Sequence, residues 1–161
     1  MMVYNAHIPL VAASATANQG TLVSGATRSF LVLELDFQGQ ATASANNELC
    51  LFRTLAAGIT PGTLLNIVPV DAPNMTGTTP ALAFSGAASS AISYTTAPTV
   101  TAAAQLFPFG LNANGQRYFW RANPNLNNAI VVPGGGATNG ITLEALSGTS
   151  NYSGRIQIAE L

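Results

Sequence analysis

Glu34 and Asp36 are the carboxylates closest together in the chain. Two positions apart on an extended segment, they share a strand face and come within reach of each other. Glycosidase chemistry needs such a pair. No aromatic platform surrounds them in sequence, so an outer-face pair, solvated or held by arginine, is the better reading. His7 is the only histidine and has no Gly-x-Ser-x-Gly elbow to serve, which argues against a hydrolase triad. Cys50 sits between Leu49 and Leu51 on an expected strand and reads as a small buried hydrophobe. Arg53, three residues on, falls on the opposite face and cannot activate that thiol. The run Gly134-Gly135-Gly136-Ala137-Thr138-Asn139-Gly140 precedes an expected strand, so it offers no helix N-terminus to a phosphate.

The chain contains no lysine. That removes Walker A nucleotide binding, the protein-kinase ATP site and Schiff-base chemistry, each of which needs an amine at a fixed place. One histidine, one cysteine and scattered carboxylates do not make a metal site. The sequence therefore reads as non-enzymatic, with no catalytic, cofactor-binding or metal-binding residues and no cofactor.

Arg117-Tyr118-Phe119-Trp120-Arg121 is the densest cluster of large side chains. On a strand, Arg117, Phe119 and Arg121 share one face while Tyr118 and Trp120 share the other. Aromatics and arginine are the types most enriched at interface hot spots. Trp120 also fits the role of core anchor of a sandwich, with the arginine face outward.

The elements that must carry these residues read as strands. Ser29 to Phe37 alternates Leu31, Leu33, Leu35 and Phe37 with Phe30, Val32, Glu34 and Asp36, charge entering on the outer face. Further strands are expected over 48–55, 63–70, 91–107 (broken at Pro98), 116–122, 129–132, 140–146 and 155–161, with connections at 71–90 and 147–154. Pro69 places the end of its strand at an edge or exit. A small helical turn fits 53–58 or 101–106. About eight short strands with Gly, Pro and Asn turns predict an all-β fold, an antiparallel β-sandwich of jelly-roll type. Residues 1–27 are expected as an extended N-terminal arm and 28–161 as the sandwich domain. The arm is small and polar after residue 11. Its opening carries Met2, Val3, Tyr4, His7 and Ile8, which would dock on the chain's own domain or on a neighbour.

Composition narrows the function. The chain has 161 residues and only eleven charged side chains, 7% against roughly 25% in an ordinary domain. A free monomer keeps itself soluble with surface charge. A surface of Ala, Gly, Ser, Thr and Asn suits a subunit covered by its neighbours. A net charge of −1 without a basic run disfavours nucleic acid and anionic membranes. No secretory leader is visible at the start, and the single cysteine fits a reducing compartment. Asn74-Met75-Thr76 and Asn151-Tyr152-Ser153 are then chance matches to the glycosylation sequon.

The stretch from Arg117 to the end resembles small virion proteins of tailed bacteriophages. Tyr118-Phe119-Trp120-Arg121-Ala122, Val131-Val132-Pro133, a Gly/Asn loop, Gly140-Ile141-Thr142-Leu143 and Ser150-Asn151-Tyr152-Ser153-Gly154 carry the likeness in that order. Such proteins include capsid decoration, or cement, proteins. The resemblance implies a β-rich, non-enzymatic structural protein on the capsid surface of the virion, made in the bacterial cytoplasm. It would be a homo-oligomer, a trimer by preference, bound to the major capsid protein. Met2, Val3, Tyr4, His7, Ile8, Arg117 and Arg121 are its expected contacts. The alternatives are a tail, fibre or spike β-domain and a carbohydrate-binding module, the last needing Tyr118, Trp120 or Tyr152 exposed.

Overall fold

The computed structural model describes residues 2–14, 20–24, 29–54, 60–61, 66–70, 83–85, 94–96, 99–123, 128–134 and 139–161. They form two antiparallel sheets packed face to face. The first sheet runs β10 (Arg117–Arg121), β3 (Phe30–Gly39), β13 (Asn151–Glu160), β1 (Met2–Ala12) and β6 (Asn66–Pro69), with β11 (Ile130–Val132) also pairing β3. The second runs β7 (Ala83–Ser85), β2 (Gly20–Val23), β12 (Gly140–Ser147), β4 (Asn46–Arg53) and β9 (Gln105–Asn112). A separate pair joins β5 (Thr60–Pro61) to β8 (Tyr94–Thr96). The one helical turn described, 102–104, falls in the second of the two places expected.

The core lies between the sheets. Phe30, Val32, Leu35, Phe37, Ile156 and Ile158 of the first meet Leu22, Leu49, Leu51, Phe109, Ile141 and Leu143 of the second. Each such side chain, fully buried, contributes about 1.5–3 kcal/mol. Alternation in β3 differs from the simple period. Gln157 pairs with Glu34 but Ile158 pairs with Val32, so Leu33 is an extra residue on β3. This bulge shifts the phase by one residue. Phe30 and Val32 therefore face the core together with Leu35 and Phe37, while Leu31 and Leu33 are only half-buried.

The expected boundary at residue 27 has no counterpart in the sheets. β1 lies between β13 and β6, and β2 lies between β7 and β12. Tyr4, Ala6, Ile8 and Val11 are buried, so the opening segment docks on its own domain as a strand rather than reaching out as an arm. Ala6 conceals the period that Tyr4 and Ile8 mark. Residues 15–19 and 25–28 lie outside the described part, as does most of the connection expected at 71–90. β6 is at a sheet edge, as Pro69 requires. β13 starts at Asn151, inside the expected connection, because Gly148 turns the chain tightly at φ +91°. Asn47 holds that turn: its Nδ2 donates to Ser150 O at 2.9 Å, and Ser150 N donates to its Oδ1 at 3.1 Å.

Candidate interaction face

β10 leaves β9 through a turn at Asn112–Gly115, with Gly115 at φ +72°. On β10, Arg117, Phe119 and Arg121 are exposed, while Tyr118 and Trp120 are half-buried. The Trp120 ring centroid lies 5.0 Å from that of Phe107, and Tyr118 stacks on Phe109 at 4.4 Å. Trp120 thus packs against the core, and the arginines face outward.

The outward positions of the first sheet stand in register across five strands. One row reads Arg121, Glu34, Gln157, Asn5 and Val68; the next reads Phe119, Asp36, Arg155, His7 and Asn66. In these rows the acids and arginines tie each other down. Arg117 grips Asp36 with two bonds, Nε to Oδ1 at 2.7 Å and Nη2 to Oδ2 at 2.9 Å. Arg155 spans both acids, donating to Glu34 Oε2 at 3.1 Å and reaching Asp36 Oδ2 at 3.4 Å. Its Nη1 donates to Asn5 at 3.1 Å. Arg121 closes the network on Glu34 Oε1. Five of the eleven charges therefore sit in one patch. Isolated exposed pairs give little stability, but a linked network with two-pronged geometry fixes side chains that would otherwise wander. Phe119 stands between the two guanidiniums of its own strand, 5.5 Å from Arg117 and 5.9 Å from Arg121.

Beyond the charged rows the face turns apolar. Val131, Leu31, Ala159 and Val3 are in register, and Val70 N donates to Val3 O at 2.9 Å. Val68, Val70, Val131 and Phe119 are 40%, 53%, 47% and 49% exposed and give this face apolar surface, and Leu10 on β1, in the irregular stretch between Ile8 and Val11, is 56% exposed as well. The second sheet differs. Thr21, Cys50, Phe52 and Thr142 alternate with its core residues yet are buried, so this part of its outer side is not open.

The expected contact residues separate accordingly. Val3, His7, Arg117 and Arg121 come together on the outer face of the first sheet. Tyr4 and Ile8, at 1% and 2% exposure, belong to the chain's own core and cannot meet a partner, since their alternation with His7 turns them inward. Met2 stands across from Glu160 at the end of the same sheet. Sequence reasoning missed Arg155, Asn5, Val68, Val70 and Val131, whose place on this face is set by cross-strand register. Only for Arg155, alternating with Ile156 and Ile158, was an outward side readable in advance.

The arrangement holds Glu34 and Asp36 as acceptors. The hydrogen bonds from Arg117 above all, with Arg155 behind them, keep the Asp36 carboxyl below its ordinary range although burial pushes the other way. A carboxyl kept ionised is poorly suited to act as a general acid. Cys50 is buried and its thiol pushed up by that burial. Of the three aromatics named for a sugar platform, Tyr152 is fully buried, and Tyr118 and Trp120 are half-buried and pack against the core.

These environments set the pH response. Asp36 is lowered, so its contribution is present above the unfolded value near 3.9 and is lost as pH falls through the folded value. Burial raises the Tyr152 phenol above its ordinary range. That contribution is complete below an unfolded value near 10 and is lost as pH rises beyond it. Urea midpoints measured across pH are therefore expected to fall at both ends. Asp36→Asn should flatten the acid limb and Tyr152→Phe the alkaline limb. A limb unchanged in its variant would remove that residue as its cause. Glu144, raised by desolvation, acts oppositely to Asp36 and makes the acid limb shallower.

The chain matches no family model, no curated protein and no solved structure.

Proposed function

We propose that this chain is a non-enzymatic structural protein of a tailed-phage virion, a decoration or cement protein that binds and stabilises the outer capsid shell. The observation that carries the reading is the outer face of the first sheet. There two acids are held by three arginines within the chain, which leaves one positive charge in excess, and Phe119, Val68, Val70 and Val131 remain exposed around them. Such a face can be covered at modest desolvation cost, because its charges arrive already paired. Its five strands, about 4.8 Å apart, give a patch roughly 20 Å wide. A specific contact buries of order 1,000 Å² in total, so the face would supply the centre of one interface. Many symmetry-related copies then add avidity. A homotrimer on the major capsid protein suits this use. The strand order supports a jelly-roll wrap: β1-β13-β3-β10 opposes β2-β12-β4-β9, as two Greek keys rolled together would have it.

The test is the copy number of the chain in purified particles, by quantitative mass spectrometry. A number on the scale of the shell lattice is expected. A handful of copies would assign it to a tail, fibre or spike, and none would end the virion reading. The face itself is tested by Phe119→Asp. Shell occupancy should fall at least about tenfold in co-sedimentation with stripped particles, as loss of an exposed aromatic contact flanked by two arginines implies. Thermal stability should fall by no more than about 1 kcal/mol, because the side chain is half exposed and the new carboxylate, in register with Asp36, adds one cross-strand like-charge contact. Undiminished occupancy would move the contact to another surface.

A further inference from the structure

The sequence contains two Asn-Gly steps, Asn114-Gly115 and Asn139-Gly140. We propose that Asn114 is a site of spontaneous deamidation in the folded protein and that the structure protects Asn139. The reaction needs the glycine backbone nitrogen to approach the asparagine Cγ, which glycine permits because no side chain blocks the path. Asn114 and Gly115 are both exposed, in the turn between β9 and β10. Gly115 has φ +72°, and no atom lies within 4 Å of where a Cβ would stand. The Asn114 side-chain amide makes one long bond, Nδ2 to Thr42 O at 3.3 Å. Asn114 N donates to Asn112 Oδ1 at 2.9 Å and Gly115 N to Ala113 O at 3.1 Å, both local bonds within the exposed turn, so the Gly115 nitrogen is freed by opening the turn alone.

Asn139-Gly140 is clamped. Asn139 Nδ2 donates to Gly134 O at 2.9 Å, and Asn139 O accepts from Ser24 N at 2.9 Å. Gly140 opens β12 opposite Val23, is buried, and its carbonyl accepts from Thr54 N at 3.0 Å. A Cβ on Gly140 would come 2.5 Å from Leu22 O, so the backbone there has no room to turn toward a side chain.

At Asn114 the Gly115 nitrogen gives its proton to solvent base and forms a bond to Cγ. The Cγ–Nδ2 bond breaks, and ammonia leaves with a proton taken from solvent. Water then opens the succinimide at either carbonyl, giving aspartate or isoaspartate. No electrons are transferred, and water is the only co-reactant. The product adds one negative charge to a chain of net charge −1 and sets a carboxylate against the Thr42 carbonyl. It therefore loosens the turn from which Arg117 emerges.

The experiment is incubation of the intact folded chain at mildly alkaline pH, followed by peptide mapping with mass detection of the amide-to-acid change. The same chain in urea serves as reference. Folded, Asn114 should convert at least about tenfold faster than Asn139, the ratio that ~1.4 kcal/mol of local opening at Asn139 would impose. In urea the two rates should converge. Equal rates in the folded chain, or an Asn114 slowed by folding as much as Asn139, would overturn the assignment.

Discussion

A chain lacking residues 1–14 is expected not to fold. It should lose both the cooperative thermal transition and the β-sheet circular dichroism of the full chain. β1 is an interior strand of the first sheet, so its removal strips β13 of one partner and leaves β6 with none in that sheet. It also removes Tyr4, Ile8 and Val11 from the core, with Ala6 and Ala13. At about 1.5–3 kcal/mol for each large side chain, the three larger residues alone contribute roughly 5–9 kcal/mol. The whole stability of a domain is about 5–15 kcal/mol. A true arm would behave differently, since trimming it would leave the melting temperature almost unchanged. Tyr4→Ala and Ile8→Ala provide a graded version, each expected to cost about 2–5 kcal/mol. A truncated chain that melts cooperatively within a few degrees of the full one would mean that β1 is only laid on the sheet.

The difference between arm and strand shows what the sequence makes legible. Strands with large residues on one face were readable: β4 from Leu49 and Leu51, β12 from Ile141 and Leu143, and β10 from its arginine and aromatic alternation. β1 and β2 were hidden because alanine, glycine and threonine occupy positions that the fold buries, and such residues carry no period. β9 was obscured by Pro108 and Gly110, which an edge strand tolerates. Simple alternation places Phe30 and Val32 outward with Glu34, because a bulge is a property of two strands read together, and Gln157 lies far from Leu33 in sequence. The same limit applies to the candidate face. Arg117, Phe119 and Arg121 could be placed on one side from their own strand. Their partners Glu34, Asp36 and Arg155 are fixed only by pairing across β3 and β13.

Phe37→Ala should lower stability by about 3–5 kcal/mol, the usual cost of emptying a phenylalanine site in a core. Phe37 is fully buried, with ring centroids 5.3 Å from Phe109 and 6.1 Å from Tyr152. Its ring also lies over Gly154, its partner in register on β13. A Cβ on Gly154 would meet the ring at 2.3 Å and the Asp36 carbonyl oxygen at 2.6 Å. Gly154→Ala is thus an overpacking change expected to cost about 1–3 kcal/mol or more. The two substitutions should not add. Removing the ring relieves the closer clash, so the double variant should be more stable than the sum predicts by about 0.5–3 kcal/mol. Part of the Gly154 cost should survive, because the Asp36 carbonyl belongs to the backbone of β3 and cannot swing aside. That remainder has a consequence on the other side of the sheet. Pressing on Asp36 displaces the carboxylate gripped by Arg117 and Arg155, so under the proposed shell-binding role Gly154→Ala should weaken shell binding as well as stability. Full additivity in urea unfolding would show that ring and glycine do not share one space. Unaltered binding by the folded Gly154→Ala chain would show that the charged rows tolerate a shift of β3.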